Sequence, residues 1–285
     1  MAKILKGAPV AAALNEQTAQ QARALAARGV TPTLAIVRLG ARSDALSYEQ
    51  GAVKRCQQVG VAVRHVALPE LTPPFAFFAA LKALNDDPAV HGILLLRPLP
   101  EQIDAQAARC AIAPEKDVDG CTDGSLAGVF TNAALGFPPC TARAALEVLD
   151  YYGIDPMGKR AAVVGRSLVV GRPAAMLLLH RGATVTLCHS RTRDLPAVLR
   201  ESELILVCAG QLRLVGAAHL RAGQAVLDAG IHWCEAEGRL CGDVDFAAAE
   251  RVVDAISPVP GGLGSVTTSV LARHVVEAAL RRSEN

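Results

Sequence analysis

The strongest constraint on this chain is the regular alternation of helical and strand patterns along its 285 residues. Short apolar runs bounded by glycine or proline alternate with stretches of helical periodicity, which demands an α/β architecture with parallel sheets. The pattern predicts a helix over Leu14–Ala27, a strand over Thr33–Leu39 stopped by Gly40, and a helix over Tyr48–Val59 closed by Gly60. A strand over Val61–Ala67, a helix over Phe75–Asn85 and a strand over Gly92–Leu96 follow. The Glu115–Gly120 turn and the Gly/Pro-rich stretch to Pro139 read as long loops, which in an ordered domain often carry function.

A second series begins near Thr141. It runs through a helix over Ala144–Tyr152, a strand over Ala161–Val164, a glycine-rich turn and a helix over Arg172–Arg181. Strands over Ala183–Cys188, Leu204–Ala209 and Ala225–Ala229 precede a last helix from about Thr267 to Arg282. The expected organisation is a first domain over 1–142, completed by the helix at 267–285, and a Rossmann-like domain over 143–266.

Composition narrows the function. A formal net charge of +2 argues against a nucleic-acid partner, so any anion site must be local. The eight cysteines are scattered with no Cys-x-x-Cys pair. Cys234 and Cys241, near His232, come closest to a ligand cluster, but their spacing fits no zinc pattern, and no metal is expected. Most cysteines read as small core residues of a reduced compartment. No stretch approaches the ~20 apolar residues of a membrane span. The expected location is the cytoplasm, away from the membrane.

The turn Gly165-Arg166-Ser167-Leu168-Val169-Val170-Gly171-Arg172-Pro173 lies after one strand and before one helix, where a dinucleotide fingerprint belongs. Glycine there permits the tight turn, and the helix N-terminus favours a pyrophosphate. The match is imperfect: Ser167 replaces the middle glycine and Gly171 comes one residue late. Read alone, the turn fits an ordinary strand–helix connection as well. The next strand ends in His189-Ser190-Arg191-Thr192-Arg193, with no carboxylate until Asp194. A free ribose hydroxyl is usually met by an Asp or Glu about 20 residues past the first glycine. Ser190, Arg191 and Arg166 suit a ribose 2′-phosphate instead, which makes NADP the expected cofactor.

Five stretches together carry a family resemblance: Gly92-Ile93-Leu94 leading to Pro98-Leu99-Pro100; Lys116-Asp117-Val118-Asp119-Gly120; Pro139-Cys140-Thr141; the Gly165–Pro173 turn; and Pro258-Val259-Pro260-Gly261-Gly262-Leu263-Gly264. In order and spacing they resemble the bifunctional methylenetetrahydrofolate dehydrogenase/cyclohydrolase proteins over nearly the whole chain. The resemblance implies two α/β domains, a folate-binding catalytic one and a Rossmann-like NADP-binding one, with the active site in a cleft between them, in a homodimer. It implies that Asp119 grips the pterin, since a carboxylate can accept two parallel hydrogen bonds from amino and ring N–H donors. Tyr48 would lie against the pterin, Pro260, Gly261 and Gly262 would line the substrate site, and Ile231 would join Gly165, Arg166, Ser167, Gly171, Ser190 and Arg191 around the cofactor.

The chain departs from the family at the positions that matter for its second activity. The family has a lysine four residues after the tyrosine, one helical turn on, where this chain has Ala52. Lys54 lies two residues further, roughly 200° around the helix, and should face away. The family's glutamine before the Leu-Pro-Leu-Pro segment is Leu96 here, followed by Arg97. Gly264 is followed by Ser265-Val266-Thr267 in place of Pro-Met-Thr. These departures favour an NADP-dependent 5,10-methylenetetrahydrofolate dehydrogenase whose cyclohydrolase activity is lost or weak. Two other readings stay open: a bifunctional enzyme using Lys54 or Arg97, and a non-catalytic folate- or NADP-binding paralogue.

Overall fold

The computed structural model describes residues 1–235 and 237–283. Along the chain run β1 (Lys3–Ile4), α1 (Gly7–Ala27), β2 (Thr33–Leu39), α2 (Ser43–Val59), β3 (Ala62–Leu68), α3 (Pro74–Asp86) and β4 (Gly92–Leu95). Next come α4 (Ala105–Cys110), α5 (Asp123–Thr131), α6 (Cys140–Tyr152), β5 (Arg160–Val164), α7 (Gly171–His180), β6 (Thr184–Cys188) and α8 (Leu195–Glu201). The remainder holds β7 (Leu204–Val207), β8 (Ala225–Asp228), β9 (His232–Cys234), β10 (Arg239–Cys241), α9 (Phe246–Ala249), β11 (Ala255–Ile256) and α10 (Gly264–Ser283).

The chain divides into two compact units, one of Ala12–Cys140 with Thr268–Asn285, the other of Met1–Ala11 with Thr141–Thr267. The expected first domain began at residue 1, and this is corrected. The first residues form β1, which pairs in parallel with β11 (Lys3 opposite Ala255), so they belong with the nucleotide-type unit.

In the first unit, β2 is the centre of a parallel sheet ordered β3-β2-β4. Its sequence, Thr-Leu-Ala-Ile-Val-Arg-Leu, is buried along most of its length, as a strand covered on both faces requires. Ala35, Val37, Ile93 and Leu95 pack one face against Phe77 and Leu81 of α3. At Gly92 an added Cβ would stand 2.7 Å from Val118, so the glycine admits the Lys116–Gly120 segment onto β4.

In the second unit six parallel strands are ordered β1-β11-β8-β7-β5-β6. The chain leaves β5 through α7 to reach β6 on one side, then returns through α8 to β7 on the other. The strand order therefore reverses between β5 and β7. In open α/β sheets ligands bind outside the carboxyl ends of the strands at such a reversal. Among the described residues, no helix is long and apolar enough to cross a membrane.

Some elements differ from expectation. Helix α1 begins at Gly7 rather than Leu14, because Pro9 sits in the first turn, where its missing N–H has no helical acceptor to lose. The stretch expected as loop before Pro139 contains α5, capped by the Thr122 side chain accepting from the Ser125 N–H. The antiparallel β9–β10 hairpin, with Leu240 opposite Trp233, was not foreseen, since each strand has only three residues.

The end of the Lys116–Gly120 segment is held by one side chain. Asp117 is fully buried and accepts the N–H groups of Cys121 (3.0 Å) and Thr122 (2.7 Å). Asp117→Ala would leave two donors unpaired, the Thr122 N–H buried and the Cys121 N–H partly so. We expect a loss of about 2–5 kcal/mol in unfolding free energy, measured by urea denaturation.

Candidate active site

The Lys116-Asp117-Val118-Asp119-Gly120 segment shows what each residue type is for. The Lys116 ammonium turns inward and donates to the carbonyls of Leu84 (2.9 Å) and Asp87 (2.7 Å). Val118 is buried against β4 and Asp117 ties the following loop. Gly120 has φ +73°, and a Cβ there would stand 2.4 Å from the Pro139 nitrogen. Four of the five positions are thus committed to structure. The side chain left over is that of Asp119.

The Asp119 carboxylate lies within electrostatic reach of Tyr48 on α2. Tyr48, Ala52 and Cys56 recur at helical spacing on one face of that helix, and Ala52 and Cys56 are fully buried. Tyr48 keeps 37% of its surface exposed. Burial of its phenol, then the nearby Asp119 carboxylate, push its pKa far above the ordinary tyrosine range. Burial also raises the Asp119 carboxyl, while the Arg97 guanidinium, 3.3 Å from Oδ2, pulls it down. Cys140, fully buried, donates its thiol to the Val118 carbonyl at 3.3 Å, and burial followed by the Asp119 charge raises it well above the usual thiol range. The structure therefore brings Tyr48, Asp119, Arg97 and Cys140 together. Arg97 entered the sequence reading only as a stand-in for the missing lysine in a bifunctional enzyme, and Cys140 was not singled out as a site residue. The only signal for Cys140 was its place in Pro139-Cys140-Thr141.

Ala52 and Leu96 are both apolar and buried, at 0% and 7% exposure. Lys54 points elsewhere, lining a separate pocket with Arg38, Glu49 and His65. There the Glu49 carboxylate faces Arg38 at 3.0 Å and His65 at 2.6 Å.

The glycine turn lies at the strand reversal of the second unit. A Cβ on Gly165 would come 2.2 Å from the Cys208 carbonyl oxygen at the end of β7. One on Gly171 would come 1.9 Å from the Gly165 oxygen. Only glycine lets strand and helix approach this closely, the geometry a pyrophosphate cradle requires. Ser167, in place of the middle glycine, accepts the Val170 N–H at 3.1 Å through its hydroxyl and so closes the turn. The Gly165 N–H donates to Cys188 at the end of β6, bringing Ser190 and Arg191 to the same edge. Arg166, Ser190 and Arg191 are exposed there. His189 braces Arg191 by accepting its backbone N–H at 3.0 Å. The first carboxylate past the strand, Asp194, is engaged as the cap of α8, accepting the Ala197 N–H at 3.2 Å. These residues fit a dinucleotide carrying a 2′-phosphate.

Two aspartates missed in the sequence organise the same edge. Asp243, fully buried, accepts the N–H groups of Ala209 (2.6 Å), Gly210 (2.9 Å) and Gln211 (2.9 Å), and faces His232 Nε2 at 2.7 Å. Asp228 accepts from Gly230, Asp243 and Val244, and burial pushes it up to about 6 despite those donors. Their signal was an aspartate directly after an apolar strand or a glycine. Ile231, beyond Gly230, is 67% exposed. Pro260 and Gly261 are exposed and Gly262 buried beyond β11, in this second unit rather than the one holding Tyr48 and Asp119. The hairpin gathers Cys234, Glu237 and Cys241, with ligand-type atoms within 4.8 Å of one another. The Arg213 guanidinium reaches both Glu237 and Cys241 there.

Residues 5–119 match the family model for the tetrahydrofolate dehydrogenase/cyclohydrolase catalytic domain, and residues 139–283 that for its NAD(P)-binding domain. The chain is 46% identical over 279 residues to the bifunctional protein FolD of Carboxydothermus hydrogenoformans, covering 98% of this chain and 97% of that one. To the bifunctional protein FolD of Alkaliphilus oremlandii it is 44% identical over 278 residues, with 98% and 97% covered. The solved bifunctional FolD enzyme of Campylobacter jejuni superposes with a TM-score of 0.96 at 34% identity, over 99% of this chain and 100% of that one. The Trypanosoma brucei dehydrogenase-cyclohydrolase, solved with NADP and an inhibitor, gives 0.92 at 33% identity, over 100% and 99%.

The Arg97–Asp119 pair makes a prediction of definite sign. Arg97 lowers the Asp119 pKa against a larger burial effect that raises it. Arg97→Leu removes the opposing charge, so Asp119 should protonate at higher pH. The acid limb of any process requiring the carboxylate should move upward, as read by ¹³C NMR titration of the Asp119 carboxyl.

Proposed function

This chain belongs to the tetrahydrofolate dehydrogenase/cyclohydrolase family, and we propose that it is an NADP-dependent 5,10-methylenetetrahydrofolate dehydrogenase with cyclohydrolase activity lost or weak. One observation carries the narrower half of this reading. Ala52, on the α2 face beside Tyr48, and Leu96, just past the end of β4, are apolar and buried at the two positions where the family pattern has lysine and glutamine.

The chemistry separates the two activities. Opening the methenyl bridge requires water to attack an amidinium-like carbon, with proton transfers that a positioned acid/base accelerates by ~10²–10⁴. Hydride transfer from the methylene carbon needs alignment and exclusion of water, and the nicotinamide cofactor supplies the redox chemistry. Asp119 would hold the pterin through paired hydrogen bonds, with Tyr48 lying against it. Gly165, Ser167 and Gly171 would receive the pyrophosphate, and Arg166, Ser190 and Arg191 the 2′-phosphate, with Ile231 against the cofactor. Pro260, Gly261 and Gly262 would complete the substrate site. Capture of Asp194 as a helix cap removes the nearest carboxylate that could favour NAD, and the NADP-bound relative supports the same choice.

A second reading, a bifunctional enzyme, draws on Arg97, which stands 3.3 Å from Asp119. A guanidinium carries five N–H donors and no acceptor, so Arg97 can orient an anion or a water but is a poor proton shuttle. The Lys54 version is weaker still, because that side chain lines the Arg38–Glu49–His65 pocket.

Two outcomes are expected. NADP should bind more tightly than NAD, and the double replacement Arg166→Ala, Arg191→Ala should narrow the gap by ~1–3 kcal/mol in titration calorimetry. Equal affinity in the unmodified protein defeats the cofactor assignment. With methylenetetrahydrofolate and NADP, methenyl-folate should accumulate in step with NADPH when the two are followed separately. Ala52→Lys with Leu96→Gln should restore some hydrolysis, and either change alone less, because a buried polar group without its partner is costly. Hydrolysis by the unmodified protein well above the spontaneous rate would overturn the monofunctional reading.

A further inference from the structure

We propose that the first unit carries a second ligand site, a pocket for a small oxyanion at the amino end of β4, opposite the end that leads to Arg97 and the Tyr48–Asp119 face. A cavity of about 300 Å³ lies there, lined by Asn85, His91, Glu115, Lys116, Arg281 and Arg282 among others. That volume comfortably holds a phosphate or a small dicarboxylate.

Three independent donors converge on it. His91, only 8% exposed, accepts the Thr33 N–H through Nδ1 at 3.2 Å. The neutral ring must then carry its proton on Nε2, as a donor. Lys116, 3% exposed, gives two of its three N–H groups to the Leu84 and Asp87 carbonyls and keeps one. Arg282 has no carboxylate partner among the described residues. Arg281 adds charge, although its guanidinium is already occupied over the Phe137 ring at 4.3 Å and on the Gly136 carbonyl.

The charges do not cancel. Among the described residues Glu115 is the only carboxylate lining the cavity, and the nearby Asp87 is paired with Arg64 at 2.7 Å. Burial, then Arg282 and Lys116, depress the His91 pKa, as expected where positive potential collects. Arginines in the last turn of α10 are common on their own account, since the carbonyls there attract cations. That does not explain a buried lysine and a histidine N–H on the same cavity. An oxyanion satisfies all three donors at once, and charge-assisted bonds to it are the strong kind.

The site makes no use of the reaction proposed above and stands or falls separately. Its test follows the His91 ring by ¹³C/¹⁵N NMR in the full-length protein. Inorganic phosphate and succinate are titrated in parallel, against chloride at matched ionic strength. A saturable shift of His91 with phosphate alone assigns a phosphate ligand; one with succinate, alone or as well, assigns a carboxylate or a general oxyanion. Arg282→Ala should weaken the apparent affinity about tenfold or more, and Arg282→Lys should retain most of it. Because Arg282 is exposed in the last turn of α10, thermal melting should show both variants folded as the wild type. No saturable shift with either anion, or an unchanged affinity in Arg282→Ala, overturns the proposal.

Discussion

Loops packed against a parallel sheet leave backbone amides without strand partners, and here buried aspartates supply the acceptors. Asp117 takes the amides of Cys121 and Thr122, Asp243 those of residues 209–211, and Asp228 those of Gly230, Asp243 and Val244. Each carboxylate replaces several lost water contacts with charge-assisted bonds, which is why full burial is tolerated. The loops so fixed are those that present Asp119 in one unit and the β7 and β8 ends in the other. Precise placement of the candidate site thus rests on side chains that belong to no ligand.

The same logic separates residues that hold the site from residues that could act in it. Lys116, Asp117, Val118 and Gly120 are each accounted for by hydrogen bonding, packing or a positive φ. The Asp119 carboxylate is engaged only by site neighbours among the described residues, Arg97 and the Cys140 thiol. Burial works against its ionised form and Arg97 works for it, so the arginine keeps a carboxylate available where an apolar wall alone would favour the acid. Tyr48, with its phenol held protonated by burial and by Asp119, can donate a hydrogen bond but not serve as a base at neutral pH.

Much of the fold was legible because period and punctuation coincide. The predicted strand over Thr33–Leu39 matches β2 end for end, and the helix over Tyr48–Val59 ends as α2 does, at Gly60 in the left-handed conformation. Helix starts were less legible, since a first turn tolerates proline and polar residues alike. Alternation of helix and strand says nothing of three-residue strands, and β9 and β10 escaped for that reason. In the site, Gly165, Gly171 and Asp119 stood out by motif. Arg97, Cys140, Asp228 and Asp243 did not, because what distinguishes them is a partner far away in sequence: Asp119 for the first two, and loop amides for the others. Pairwise electrostatics of that kind leaves no periodic trace in a chain.

The apolar pair Ala52 and Leu96 has a stability logic. A lysine on the buried face of α2 would need an acceptor, and a glutamine at the end of β4 would need partners for both its donor and its acceptor. Either one alone would leave a desolvated polar group, at a cost of roughly 1–3 kcal/mol. With both positions apolar that penalty is absent and the surface is packed, as the full burial of Ala52 and near-full burial of Leu96 show. The charge beside them, on Arg97, is paired with the Asp119 carboxylate.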